Sequence, residues 1–361
     1  MSKKNQRRGL FIKKQSKTHS FQKWIFSCIA VLGFIYGYIF LWPVVPGQSN
    51  TPNLSAYKVK VLPQSSLASI GAQLEKQGID TSTIGVQISS RLLLVGSKLK
   101  PGTYLLPLRA TLGKVLLQIA RGDRIRESLA IIPGMTIWQV RAIVDAHPAL
   151  IHQTKAMNSK ELLQNLGLTY PGDEGIFLPD TYIFDPDEAD INIYRKASQA
   201  MQKQLTQTWA KKETSSPLKS PYELLILASI VEKETGQSSD RGMVAAVFTN
   251  RLNKGMLLQT DPTVIYGIGP KFDGNLRKTD LRHDSPYNTY MRKGLPPTPI
   301  AMPSKESIQA AANPEVSGAL YFVAKGDGSS HFSKSLNEHE TAVNTYQRKS
   351  SPKPSTPNVT N

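Results

Sequence analysis

Nineteen consecutive residues, Trp24 to Trp42, carry no charge, and no other feature limits the fold of this chain so strongly. As a helix rising about 1.5 Å per residue, such a run matches a bilayer core about 30 Å thick. Tryptophans stand at both ends, where amphipathic rings settle at the membrane–water boundary. Before it come Lys3, Lys4, Arg7, Arg8, Lys13, Lys14, Lys17 and Lys23, with no acid among them. The positive-inside rule puts that tail in the cytoplasm and everything from Pro43 onward across the membrane. A cleaved signal peptide is the alternative. The run is long for a signal's apolar region, however, and no small-x-small site precedes Pro43, so the expectation is an uncleaved anchor.

The anchor changes what the composition means. A net charge of +17 would by itself suggest nucleic acid, but the tail supplies eight of those charges and nine remain for all other residues. No nucleic-acid partner is expected. The remaining charge suits a lipid surface or an acidic polymer. At 361 residues and 40% hydrophobic, the chain can bury cores for two domains. Its one cysteine, Cys28, lies inside the apolar run, so the exported part has no disulfide, thiol nucleophile or cysteine-based metal site. His-Glu-x-x-His, His-x-x-x-His, Gly-x-Ser-x-Gly, the phosphate loop and the dinucleotide fingerprint are all missing. No metal or cofactor is expected.

Residues 43–56 have linker composition. YKVKVLP (57–63) alternates like a strand, SSLASIGAQLEKQGI is helical with Leu67, Ile70 and Leu74 in step, and a second helix covers about 81–95. KPGTYLL (100–106) reads as a turn into a strand and TLGKVLLQIARG (111–122) as a helix, completing a small α/β unit. A larger α+β unit follows. It has a strand and helix in RESLAIIPGMTIWQVRAIV, a loop with apolar anchors at 171–186, a long helix at 191–212, and a helix ending at Gly255. LLQTDPTVIYGIG contains a strand-like TVIYG, and ALYFVAKGDGSSHFS (319–333) reads as a strand, a turn and a return strand. The Ser-, Pro- and Thr-rich tail, 348–361, reads as disordered.

Within the larger unit, SPYELLILASIVEKETG (220–236) sets an acid against an apolar stripe. Ser220 is placed to cap the helix, Pro221 to open it, Glu223 to complete a capping box, and Gly236 to stop it. At about 100° per residue, Leu224, Leu227, Ile230 and Val231 cluster, with Glu234 among them and Glu232 nearly opposite. Burial disfavours a charged carboxylate and holds it protonated, as a general acid requires. The plainer alternative is a glutamate that ends a core helix and bends back to water. Downstream, Asn250, Arg251, Gln259, Asp261, Tyr287 and Asn288 bring amides, charges and rings into one region, a mix suited to a sugar. Asn250 and Arg251 also suit a helix end, and Gln259 and Asp261 an Asx-type turn before Pro262. His331 and His339 read as surface residues.

LASIVEKETG (227–236), VFTNRLNKGMLLQTDPTVIYGIG (247–269), YNTYMRKGLPPTPIAMPS (287–304) and ALYFVAKGDG (319–328) together resemble the MltG (YceG-like) endolytic murein transglycosylases. EGIFLPDTY (174–182) and PGMTIWQV (133–140) add support, and the resemblance covers roughly residues 57–347. It implies a basic cytoplasmic tail (1–23), one transmembrane helix (24–42), a LysM-like domain (57–122) and a catalytic domain (123–347), an α+β architecture overall. Cell-wall glycan strands are the implied substrate, the synthases that extend them are candidate partners, and the implied location is the inner membrane with the catalytic domain periplasmic.

The resemblance also places the family's essential glutamate on Glu234, leaving Glu232 as a supporting residue. The implied reaction cuts the MurNAc-β-1,4-GlcNAc bond without water, leaving a 1,6-anhydro end and terminating strand elongation. A water-using muramidase with Asp261 or Glu232 as second carboxylate is one alternative, and a non-enzymatic glycan-binding anchor is another. Thr298 stands where the family usually has Gly, and His339-Glu340 where it usually has His-Asn. His331 sits directly before Phe332, where one intervening residue is usual.

Overall fold

The computed structural model describes residues 5–52 and 54–348, with side chains from Phe21 to Gln347. The expected disordered tail lies outside the described residues, apart from Arg348. The chain divides into two compact units, up to Glu127 and from Ser128 onward.

The first unit begins with helix α1 (Asn5–Phe40). Its segment Phe21–Phe40 is long and apolar enough to cross a membrane. The residues that follow, composed like a linker, are instead built into the domain. Val44 and Val45 are buried, and their amides donate to the Ala110 carbonyl at 2.9 and 3.1 Å. Pro43 bridges to Thr111, and the Asp80 amide donates to Val44 at 2.8 Å. Their apolar side chains find a core here, which a sequence of turn formers and small residues does not advertise.

Strand β1 (Ala56–Val61), helices α2 (Leu67–Lys76) and α3 (Thr83–Leu92), strand β2 (Gly102–Pro107) and helix α4 (Leu112–Arg121) complete the unit. β1 buries alternate residues and pairs antiparallel with β2, from Ala56 opposite Pro107 to Val61 opposite Gly102. Ser66 and Ser82 cap α2 and α3 by accepting the Ser69 and Gly85 amides. Val59, Leu74, Val86, Tyr104, Leu106, Leu116 and Ile119 form the core. α4 meets the end of α1 at Gly113, where a Cβ would come within 2.9 Å of the Ile39 carbonyl oxygen.

The second unit runs β3 (Glu127–Ile131), α5 (Ile137–Asp145), β4 (Leu150–Ile151), α6 (Ser159–Leu166), β5 (Asp180–Phe184), β6 (Glu188–Ala189), α7 (Ile191–Trp209), α8 (Pro221–Glu234), α9 (Arg241–Asn253), α10 (Asp261–Ile268), α11 (Lys278–Arg282), α12 (Lys305–Ala312), β7 (Tyr321–Ala324), β8 (Ser330–Ser333) and α13 (Leu336–Val343). β3 pairs with β5, β4 lies parallel to β6, and β7–β8 is an antiparallel hairpin. The 171–186 segment, expected as a loop, buries Ile176, Phe177 and Leu178 and then continues into β5.

Helix α8 is the axis of this unit, packed by α7, α9 and α12. Residues 224–231 are buried without a break, so the helix has no single apolar face. The expected stripe is corrected to burial all round, as in the central helix of a larger core. Ser220 caps it as expected by accepting the Glu223 amide, but the Glu223 carboxylate reaches back to the Lys219 amide rather than to Ser220. The helix ends at Glu234, before Gly236, because Thr235 turns extended and its hydroxyl donates to the Val231 carbonyl at 2.7 Å. The strand-like TVIYG is also corrected. It lies in α10, where Thr260 takes the N-cap position and Asp261 and Pro262 occupy the first turn, both favourable at a helix start.

Candidate active site

Because α8 stops at Glu234, its last carboxylate points into a cavity of about 350 Å³ bordered by the α9 end, the 258–261 turn and the β7 hairpin. Phe248 and Leu258, both fully buried, form apolar walls. Burial raises the Glu234 pKa above the ordinary carboxylate value. The Thr260 hydroxyl, which donates to Glu234 Oε1, opposes that rise, Asp261 adds to it, and Arg251 opposes it. An acid at a helix C-terminus also faces the negative end of the helix dipole.

Thr260 is held in place by a buried threonine cluster. Its amide donates to the Thr289 hydroxyl at 3.1 Å, the Thr263 hydroxyl donates to its carbonyl at 2.8 Å, and Thr263 and Thr289 meet at 2.9 Å. Gln259 turns the chain into this cluster with a left-handed φ of 50°, and its amide is bound by the Thr289 carbonyl at 3.1 Å.

Arg251, 8% exposed, braces the opposite wall. Its Nε donates to the Leu320 carbonyl and an Nη to the Leu258 carbonyl, both at 2.7 Å, and its guanidinium lies 5.1 Å from the Tyr321 ring. Burial pulls its pKa down, while Tyr321, Tyr290 and Glu234 hold it up. It therefore stays a cation able to stabilise a carboxylate formed at Glu234. Asp261 accepts the Tyr290 hydroxyl at 2.5 Å, closing the rim. His339 stacks on Tyr321 with ring centres 5.2 Å apart, and its Nδ1 is buried without a hydrogen-bond partner. Burial, then Arg251, lowers its pKa.

The structure thus brings Glu234, Arg251, Gln259 and Asp261 around one cavity. Asn250, Tyr287 and Asn288 are placed elsewhere, on structural duties. The Asn250 amide donates to the Ser317 and Ala319 carbonyls, at 2.8 and 2.9 Å. Asn288, 1% exposed, donates to the Asp280, Leu281 and His283 carbonyls and accepts the Tyr290 amide. It positions Tyr290 rather than facing a ligand. Tyr287 pairs with the Thr298 hydroxyl at 2.8 Å and packs edge-on against Tyr266. Glu232 accepts the Ser304 amide and the Ser304 and Ser307 hydroxyls at 2.9, 2.5 and 2.6 Å, which fastens α8 to the start of α12.

Tyr290, Tyr321 and His339 line the cavity, and Thr260 joins the site through Glu234, without having been singled out from the sequence as site residues. The position of Tyr290 two residues after Asn288, in a stretch already marked as rich in rings and amides, was the available signal.

Outside the cavity, Glu174 is buried and its pKa is pushed up to about 8 by that burial, against hydrogen bonds from the Ile137 amide, the Tyr266 hydroxyl and the Gly175 amide. Ligand atoms of Asp145, His152 and Asp190 lie within 4.8 Å of one another. Asp190 is fully buried, however, and already accepts the Gln153 amide and the Thr154 amide and hydroxyl. Those bonds assign it to tying the 151–154 turn to the start of α7.

The chain is similar to an endolytic murein transglycosylase of Bacillus subtilis (strain 168), with 42% identity over 173 residues, 48% of this chain and 48% of that protein. It is 33% identical over 176 residues to an endolytic murein transglycosylase of Streptococcus pneumoniae serotype 2 (strain D39 / NCTC 7466), covering 47% of this chain and 31% of that one. The chain thus spans about half the length, or less, of the curated relatives it matches. Among solved structures, the yceG-like protein lmo1499 from Listeria monocytogenes superposes with a TM-score of 0.51 at 31% identity, over 79% of this chain and 98% of that one. A model of the YceG-like family matches residues 59–345, and with most of its length inside that match the chain belongs to the YceG-like family.

Proposed function

We propose that this protein is a membrane-anchored endolytic murein transglycosylase. On this reading it cleaves the MurNAc-β-1,4-GlcNAc bond of peptidoglycan strands and leaves a 1,6-anhydro-MurNAc end. The observation that carries the proposal is Glu234, an acid with a raised pKa at the floor of a cavity between apolar walls. The activity for which the Bacillus and Streptococcus relatives are named supplies the substrate class.

With Oε1 occupied by the Thr260 hydroxyl, the other oxygen carries the proton and gives it to the glycosidic oxygen as the C1–O bond breaks. Positive charge develops on the muramic C1 and ring oxygen. The new carboxylate is stabilised by Arg251 and Thr260. It then takes the proton of the muramic 6-hydroxyl as O6 bonds to C1, so Glu234 ends the cycle protonated and no water is consumed. The nucleophile is part of the same sugar ring, and intramolecular attack of this kind has effective molarities of about 10⁵–10⁸ M. Tyr290, Tyr321 and Phe322 line the cavity with aromatic rings for contact with the sugar.

The anchor, with its N-terminus cytoplasmic, is supported by the apolar Phe21–Phe40 helix and the basic residues before Trp24. A LysM-like small domain is supported by the β1–α2–α3–β2 order and the antiparallel β1–β2 pair.

One observation favours a second reading. Asp261 lines the same cavity and offers a second carboxylate, as a hydrolase using an activated water requires. Its Oδ1 is already taken by Tyr290, which suits a positioning role better. Mass spectrometry of glycan products decides: anhydro ends support the transglycosylase, and reducing ends support the hydrolase. Glu234→Gln should lower the yield of both kinds of product by about 10²–10⁴-fold while leaving the circular-dichroism spectrum unchanged.

A further inference from the structure

Helix α3 carries an apolar stripe that its own domain leaves uncovered. Val86, Ser89 and Ser90 face inward, while Ile84, Ile88 and Leu92, one turn apart, are 67, 44 and 56% exposed, and Leu94 beyond them is 80% exposed. This stripe borders α1. Phe34 and Tyr38 of α1, Trp42 just beyond its end, and Ile84 and Ile88 of α3 wall a cleft of about 960 Å³, and lower down Leu92 and Leu93 face Leu32 and Ile35 across a second hollow.

α3 is clamped in this position. The Tyr38 hydroxyl pairs with Thr81 at 3.0 Å just before the α3 cap, Ile39 is buried against the domain, and Val44 and Val45 are bonded to Ala110.

We infer that α3 lies in the membrane leaflet nearest the small domain, with Ile84, Ile88, Leu92 and Leu94 among phospholipid acyl chains. This rests on α1 being a membrane anchor and goes beyond it. If the α1 residues level with α3, Leu32 onward, stood in water, the apolar helix left would run from Phe21 to Val31. Eleven residues span only about 17 Å at about 1.5 Å each, short of the roughly 30 Å hydrocarbon core. Submerging the end of α1 therefore submerges the flank of α3.

The helix is fit for that environment. Its start is capped by Ser82, and at its end the Leu93, Leu94 and Val95 amides donate to Ser89, Arg91 and Ser90 carbonyls, so these backbone donors do not require water. Arg91, seven residues after Ile84 and so on the same face, is exposed, and its long side chain would have to extend back along α3 towards the headgroups.

The test uses the full chain in vesicles of phosphatidylethanolamine and phosphatidylglycerol. Cys28 is the only cysteine, so a Cys28→Ser background accepts single probes. An environment-sensitive fluorophore would be attached through Ile88→Cys, Leu92→Cys, Ile29→Cys in α1, or Glu75→Cys on the exposed side of α2, with nitroxide-bearing lipids as quenchers. Quenching at 88 and 92 several-fold above that at 75 is the expected result. Quenching at 29 with 88 and 92 as dark to lipid as 75 overturns the inference and leaves the anchor standing. Loss of quenching at 29 as well overturns the anchor itself. Probes at 88 that are shielded from water, unquenched by lipid and cross-linkable between copies would assign the stripe to a second copy of the chain, and also overturn the inference.

Discussion

Two neighbours of Glu234 act on its proton with opposite sign, which makes its role testable without removing it. A general acid works while protonated, so activity falls as pH rises through its folded-state pKa. Thr260→Val removes a donor that favours the carboxylate, so the alkaline limb of kcat/KM should move to higher pH. Asp261→Asn removes a negative neighbour that favours the acid, so the limb should move to lower pH. Shifts in the same direction would mean that another group titrates. Glu234→Gln should lower kcat by about 10²–10⁴-fold, the usual worth of a positioned acid or base. Glu234 was legible in the sequence because an acid at the end of an apolar helix is a local pattern. Thr260 reaches it from 26 positions away, and His339 arrives on a different helix, so only the tertiary fold assembles that half of the cavity. Asn250 and Asn288 have the chemistry of sugar ligands, but backbone carbonyls take up their amides, and which partner an amide finds is not written in its neighbours.

Elements in the second unit are joined by a few carboxylates whose loss should be felt as stability. Glu232 takes three donors at the start of α12, so Glu232→Ala should destabilise this unit by roughly 1.5–3 kcal/mol in urea denaturation, the usual worth of hydrogen bonds to a charged group. At the start of α5, both oxygens of Glu174 accept the Ile137 amide. With a folded pKa of about 8 against an ordinary 4.5, the folded state holds a proton that the unfolded state has released between those values. Stability must therefore fall as pH rises from about 4.5 towards 8. A Tm series across that range should decline in the native protein and decline less in Glu174→Gln. Helix periodicity alone would have placed only one side of α8 in the core. Its burial all round depends on α7, α9 and α12 arriving together, and TVIYG shows the converse, where β-branched residues enter a helix because Thr260, Asp261 and Pro262 start one.

Across the whole molecule, two separate hydrophobic cores predict two separable losses. Leu116→Ala, at a fully buried position of the first core, should cost about 2–5 kcal/mol in that unit's transition and leave that of the second unit in place, as two-wavelength or calorimetric unfolding would resolve. The junction at Pro43–Val45 has a different kind of consequence. A flexible tether grants a domain reach and lets it tumble. Here the chain passes from helix to core within a few residues, so the helix and the small domain share one rotational diffusion tensor. In a bilayer that domain would spin about a single axis and inherit the tilt of α1, and its β1–β2 sheet would keep a constant heading to the membrane normal. Such an anchor fixes direction more than distance.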